Sequence, residues 1–553
     1  MSSHAARPHV LIALISVVWP VPVGAAELRV GPEADFSAIQ AAVDAAEPGD
    51  VVLLAPGTYR EEVRVDGPGG AGITLRADGD LGQAILSGAD IISDWEPAPD
   101  VGPGVYRHGP WEHVWIGWTE DMSHGAPPPV GRSEQVIWNG RLLTHVLTKD
   151  ELAPGTFLAD PKDDKALYVR LPQDASPSDG IIEASVRTAP LAITGEGVTV
   201  EGLVVRHAAN MAQHGAISVE GSGHTIRGSV VEWTNGNGLS FRGDHITLDS
   251  VISRYNGQIG MGGGGEDCLL TDCALLHNNQ KGFSSGWEAG GIKITHALRV
   301  DVIGTLAMGN GGTGIWYDID NRECEIAGCV AVDNRDSGIF VEISGLGGFD
   351  IHHNLCVNNG LGGDWASGGI CLGESTDCDV RYNLCVANPT GISIREQGPR
   401  ELEGRGGERL SYRNERHHIH HNLMAGNARA QFGLWWDNVH FGPHPSPDVS
   451  MAGTPLDPLA AGIQVHDNLY MSPPGVPPVA WGVGWREKSQ VFADLAAFTE
   501  ATALGEGARS IELSELAQAL QALGLGDLSV VARQALAEHG ALGPPSLPGP
   551  DTD

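Results

Sequence analysis

The chain has 553 residues, with 34 Lys and Arg against 69 Asp and Glu, a formal charge of −35, and 41% hydrophobic residues. So acidic a surface excludes nucleic acid and anionic membranes as partners, and it repels a polyuronate unless a local basic cleft intervenes. Length alone suggests about three or four domains, but 76 glycines suit the many tight corners of one repeating array.

Residues 1–25 have the form of a secretory signal: Arg7 and His9, an apolar run over 10–18, then Val23-Gly24-Ala25 as a cleavage site. No later run reaches the ~18 apolar residues of a membrane-spanning helix, so the mature chain is expected to be periplasmic or secreted, with no membrane span. In residues 26–94, Asp35 is a candidate N-cap for a short helix with Phe36, Ile39, Val43 and Ala46 on one face, stopped by Pro48-Gly49. Such a helix would cover an otherwise open first coil. The turn Pro56-Gly57-Thr58-Tyr59 and the alternating runs up to Ile92 predict the first β-coils.

Residues 95–188 break the rhythm. Tryptophans cluster at 95, 111, 115, 118 and 138, and Asn139-Gly140 separates two apolar runs as a hairpin turn does. With a strand over 166–171, this stretch predicts an inserted antiparallel β-domain whose tryptophans serve the core before they serve a sugar.

From residue 189 to 484 a motif recurs. Asn354-Leu355-Cys356-Val357-Asn358-Asn359 returns as Asn383-Leu384-Cys385-Val386-Ala387-Asn388 and, more loosely, from Asn422 to Asn427. Asn235, Asn256, Asn278, Asn310, Asn334, Asn359, Asn388 and Asn427 follow one another at 21 to 39 residues, a constant coil with insertions at one corner. That period, carried by short apolar runs punctuated by Gly and Asn, predicts a parallel β-helix with asparagines stacked inside a turn. The eight cysteines include Cys356 and Cys385 at equivalent places, favouring buried thiols over bridges. Either five-residue pair, Cys268/Cys273 or Cys324/Cys329, could still close across a turn.

Within the array, Gly314-Ile315-Trp316-Tyr317-Asp318 and Gly338-Ile339-Phe340-Val341-Glu342 lie 24 residues apart throughout. Strand side chains alternate between faces, so Asp318 and Glu342 should stand side by side on neighbouring coils. Aligning the other coils places Lys293, Trp316, Phe340 and Trp435 at one outward position, with Asp318, Glu342, Arg395 and Asp437 two residues on. Carboxylates, cations and indoles in one strip suit a glycan cleft; a solvated ion-pair ladder is the plainer alternative. Like charges on adjacent strands are unfavourable, however, and one carboxyl held protonated would explain the pair.

The histidines at 417, 418, 420 and 421 fall at the same coil position as His352-His353 in an earlier repeat and are expected to form a solvated corner rather than a metal site. No metal or other cofactor is expected. Residues 485–553 leave the repeat, with helical spacing over 514–523 and 527–539 and a Pro-rich tail.

With these motifs in place, the chain resembles the pectate-lyase-like right-handed parallel β-helix superfamily. More narrowly, it is similar to the β-helix β-xylosidases, glycoside hydrolases in which a β-sandwich interrupts the helix near its start. The resemblance implies Asp318 as nucleophile and Glu342 as acid/base; the second acid at Asp320 departs from the family pattern. Together these readings predict an all-β solenoid with an inserted antiparallel domain and a short helical C-terminal region. The expected function is retaining hydrolysis of an oligo- or polysaccharide, xylosides first, with Lys293, Trp316, Asp320, Arg395, Trp435 and Asp437 as substrate contacts. A uronate lyase or epimerase and a non-catalytic glycan binder are the alternatives.

Overall fold

The computed structural model describes residues 25–66, 71–113, 128–160, 165–362, 367–436, 457, 459–483, 490–492 and 494–538. They fall into two compact units, one of residues 25–262 with 277–289, the other of residues 263–276 with 290–538. The signal-like segment, Trp115, Trp118, Asp437 and the Pro-rich tail lie outside the described residues.

In the first unit each coil contributes three short strands, and every strand pairs in parallel with its counterpart one coil later. Leu191–Ile193 joins Gly215–Ser222, Thr199–Glu201 joins Thr225–Arg227, and Val204–Arg206 joins Val230–Glu232. The period-2 alternation sends Val200, Ile226 and Val205 inward, where they are fully buried.

The N-terminal helix is Ile39–Ala45, with Ile39, Ala42 and Val43 buried. Its N-cap differs from expectation. Ala38 holds that position without a side-chain bond, and the free amides of Ile39 and Gln40 donate instead to the Glu61 carboxylate at 2.8 and 3.0 Å. A carboxylate brought in by the fold thus does the work assigned to Asp35.

The interruption contains a four-stranded and a five-stranded sheet. Val136–Trp138 and Arg141–Leu142 pair antiparallel, and Asn139 and Gly140 between them have φ of 48° and 77°, as a type I′ turn requires. Ala166–Arg170 pairs antiparallel on both sides. Trp111 and Trp138 are buried with Phe157 and Leu167, and Trp95 packs against them; these tryptophans are core.

The second unit repeats the three-strand coil. One ladder runs through Gly290–Ile294, Thr313–Asp318, Ile339–Glu342, Gly368–Gly373, Thr390–Glu396, Ala430–Trp436 and Val479–Val483. Its inward column, Ile292, Ile315, Ile339, Ile370, Ile392, Phe432 and Val479, is buried throughout. Asparagines form two ladders. Asn310, Asn334, Asn359 and Asn388 each donate a side-chain amide to the Oδ1 of the next asparagine, at 2.8 to 3.2 Å. Asn354, Asn383 and Asn422 do the same at 3.0 Å, ending on Asn468. Each rung satisfies buried amides that would otherwise cost roughly 1–3 kcal/mol apiece.

All eight cysteines are buried thiols, and Cys356 stacks in register on Cys385. The C-terminal helices Leu516–Ala522 and Ser529–Glu538 lie along the side of the coils. Leu516, Leu520, Leu528 and Ala532 pack on Val357, Leu384, Val386 and Leu423.

Candidate active site

The outward face of the long ladder in the second unit carries two columns. In the first, Lys293, Trp316, Phe340, Cys371, Ser393 and Gly433 follow in register; in the second, Asp318, Glu342, Gly373, Arg395 and Trp435 do so. Asp318 therefore faces Glu342 directly across one strand spacing, roughly 5 Å at the backbone.

Each carboxylate has a cation. Lys293 Nζ is 2.9 Å from Asp318 Oδ2, and both side chains are at least nine-tenths buried. The same ammonium lies 3.9 Å from the centre of the Trp316 ring, a cation–π contact that offsets part of its desolvation. From two coils beyond Glu342, Arg395 forms an ion pair with it and places its guanidinium carbon 4.9 Å from the Phe340 ring centre. Trp316 and Phe340 stack at 5.7 Å. Held between Lys293 and Phe340 and only 4% exposed, Trp316 forms the floor of the strip rather than an open platform. Its indole Nε1–H is buried and has no hydrogen-bond acceptor among the described residues.

Glu374 was not singled out by its place in the repeat, yet it belongs to this cluster. It follows the column glycine at the corner, where φ is 44°, and its side chain is fully buried. The Gln397 amide donates to its Oε1, and its Oε2 lies 3.5 Å from Arg395 Nη2, within ion-pair range but long for a hydrogen bond. Burial pushes this carboxyl up to about 7; Arg395 opposes the rise, while Glu342 and Glu396 add to it. Arg395 is thus shared by two acids. Nothing in the sequence pattern marks Glu374, because it stands one residue off the alternating column.

Two other candidates sit differently from expectation. Trp435 occupies the column of Arg395, not that of Lys293, because Arg395 pairs with Trp435 and Gly433 opposes Ser393. A side chain at Gly433 would collide with the folded-back indole, its Cβ lying 2.4 Å from Trp435 Nε1. The same shift removes the reason for placing Asp437 beside Arg395. Asp320 has no exposed side-chain surface. Its carboxylate accepts from Arg322 Nε and Nη2 at 2.6 and 3.0 Å, from Tyr412 Oη at 2.8 Å and from the Arg405 amide at 3.1 Å. It anchors the hairpin of Arg400–Glu403 and Arg409–Tyr412, with no oxygen turned to a ligand.

The sequence of residues 215–385 matches the family model described as a right handed beta helix region. No curated protein matches the chain. Among solved structures, XylC in complex with xylose aligns over 82% of this chain and 86% of its own, with 16% identity and a TM-score of 0.57. The A-module of the mannuronan C-5 epimerase AlgE6 from Azotobacter vinelandii aligns over 86% and 94%, with 12% identity and a TM-score of 0.42. The GH87 alpha-1,3-glucanase from Streptomyces thermodiastaticus aligns over 88% and 69%, with 11% identity and a TM-score of 0.39. The fold is a right-handed parallel β-helix, and its likeness to XylC is one of fold.

Proposed function

We propose that the protein is an exported carbohydrate-active enzyme, and specifically a retaining glycoside hydrolase with Asp318 as nucleophile and Glu342 as acid/base. The observation that carries this reading is the direct pairing of Asp318 with Glu342 across adjacent coils, a separation that suits nucleophilic attack by one carboxylate and protonation by the other. In the first step Asp318 attacks the anomeric carbon as Glu342 gives its proton to the departing oxygen, leaving a glycosyl ester on Asp318. Glu342 then takes a proton from water, and the hydroxide displaces Asp318 with the configuration restored. Lys293 orients Asp318, and Arg395 orients Glu342.

A neutral glycan is the substrate class, with xylosides first; the fold shared with a structure holding xylose supports that choice. A uronate lyase or epimerase is the second reading. It needs a cation free to meet the uronate, whereas Lys293 and Arg395 are each already paired with an acid. A glycoside panel followed by both reducing ends and ultraviolet absorbance separates the two. Reducing sugar without an absorbing product supports hydrolysis; absorbing unsaturated ends, or binding with no release, overturns it.

A further inference from the structure

On a different ladder of the same unit, His418–His420 lies between Cys378–Arg381 and Gln464–His466, with Asp379 opposite His418 and His418 opposite Gln464. Asp379, His418 and His420 offer donor atoms that all lie within 4.8 Å of one another. His420 Nε2 is 3.0 Å from Asp379 Oδ1, and His418 Nδ1 is 4.0 Å from the same oxygen. Donors placed 2.0–2.1 Å from a tetrahedral ion stand about 3.3 Å from one another, a spacing that these two distances bracket.

The groups behind the cluster fix its tautomers. Asp467 Oδ2 lies 2.8 Å from His466 Nδ1, which donates to it. His466 Nε2 is then an acceptor, so His418 Nε2, 2.6 Å away, carries the proton and donates it. That leaves the His418 Nδ1 lone pair on the side of Asp379. A histidine held by a second group with a carboxylate behind it is the arrangement that orients metal-binding imidazoles. Arg381 Nη1 takes Asp379 Oδ2 at 3.1 Å, leaving Oδ1 toward the imidazoles. His420 has His421 Nδ1 at 2.7 Å from its own Nδ1, a partner for that nitrogen when Nε2 binds an ion. Asp379 and His418 keep 35% and 37% of their side-chain surface exposed, so an ion can enter and water can complete its shell.

We propose that Asp379 Oδ1, His418 Nδ1 and His420 Nε2 form a solvent-open site for a divalent first-row transition metal, zinc(II) above all. His466 and Asp467 position the His418 ligand. Two imidazoles among three donors select such an ion over calcium or magnesium, which take oxygen ligands. This revises the expectation of a merely solvated corner, and it does not depend on the glycosidase assignment.

The test uses the untagged full chain, freed of metal by chelator and dialysis. Cobalt(II) is titrated by its visible d–d absorption, zinc(II) by competition against it, and calcium(II) by calorimetry. One saturable equivalent of cobalt displaced by zinc, with at least tenfold weaker binding in both His420→Gln and Asp379→Asn, supports the site. His466→Gln should weaken binding about tenfold while leaving one equivalent. Circular dichroism of each metal-free variant confirms its fold, and His418→Gln replaces any that does not fold. Absence of a saturable equivalent, calcium binding as strong as zinc, or unchanged affinity in the ligand variants overturns the proposal.

Discussion

Glu342 and Arg395 stand two coils apart in one column and still form an ion pair, because the residue between them is Gly373. A Cβ at Gly373 would lie 3.0 Å from both Arg395 Nη2 and Phe340 Cε2. The missing side chain is therefore the channel through which the guanidinium crosses to Glu342. Gly373→Val should push Arg395 aside while the inward face, Leu372 and Ile370, stays packed. Turnover is expected to fall roughly 10- to 100-fold, the usual cost of displacing a positioning group by about an ångström, and the melting temperature to drop as well, because the displaced guanidinium leaves the largely buried Glu342 and Glu374 without their cation. Full activity would show that the Glu342–Arg395 contact does not position the acid/base.

Asp318→Asn and Glu342→Gln should each reduce kcat by at least 10²–10⁴-fold. They differ in stability. Asp318→Asn leaves the buried Lys293 ammonium beside a neutral amide, so its melting temperature should drop. Adding Lys293→Met should restore stability without restoring turnover. Wild-type turnover in either single variant would remove the pair from the mechanism.

Asp320 is expected to act on the fold. Removing one partner of a buried charge network costs about 3–5 kcal/mol, and Asp320→Ala would strand the Tyr412 hydroxyl and part of Arg322. Denaturant unfolding should show a loss near the lower end of that range, since Arg322 keeps 23% of its side-chain surface in solvent, with KM little changed in whatever folds. A raised KM at unchanged stability would return Asp320 to the substrate site.

What was legible from sequence tracks where the coil length is constant. The 24-residue offset fixed Asp318 opposite Glu342, and the recurring asparagines fixed their ladders, because a register error of one residue would turn every apolar side chain outward. Register failed at Trp435. The hairpin inserted between residues 396 and 430 removes the count, and a glycine at 433 lets the indole fold back. Asp320 and Glu374 were illegible for a related reason. Both sit at corners with positive φ, 56° and 44°, where period-2 alternation stops predicting direction. The Glu61 cap was beyond reach because its partners are 21 and 22 residues away.

Glu374 gives a pH dependence with a definite sign. Its carboxyl is raised from 4.5 to about 7 by burial, so the folded chain holds that proton more tightly than the unfolded chain. Between about pH 4.5 and 7 the native state binds more protons, and stability therefore falls as pH rises through that window. Glu374→Gln abolishes the effect. Relative to wild type it should gain stability toward pH 8, by up to roughly 3 kcal/mol, and lose the slope below pH 7. Parallel stability–pH curves for the two proteins would mean that Glu374 is ionised in the fold.

The stereochemical outcome is the most direct reading of the Asp318–Glu342 geometry. Register and strand spacing set the backbones of Asp318 and Glu342 roughly 5 Å apart on the same face, which places their carboxyls within reach of one sugar ring. Inverting enzymes need about 6.5–9.5 Å to seat a water against the anomeric carbon, while about 5–5.5 Å lets one carboxylate attack it directly. Lys293 and Arg395 each pair with one of the two acids, which lessens the repulsion between them. The first sugar released should keep the anomeric configuration of the substrate, seen by proton NMR within the first minutes, before mutarotation. Asp320 cannot supply an inverting alternative while it is locked to Arg322 and Tyr412. An inverted first product would require Glu374, behind Arg395, to serve as the second carboxylate, and Glu374→Gln would then lose turnover as completely as Asp318→Asn.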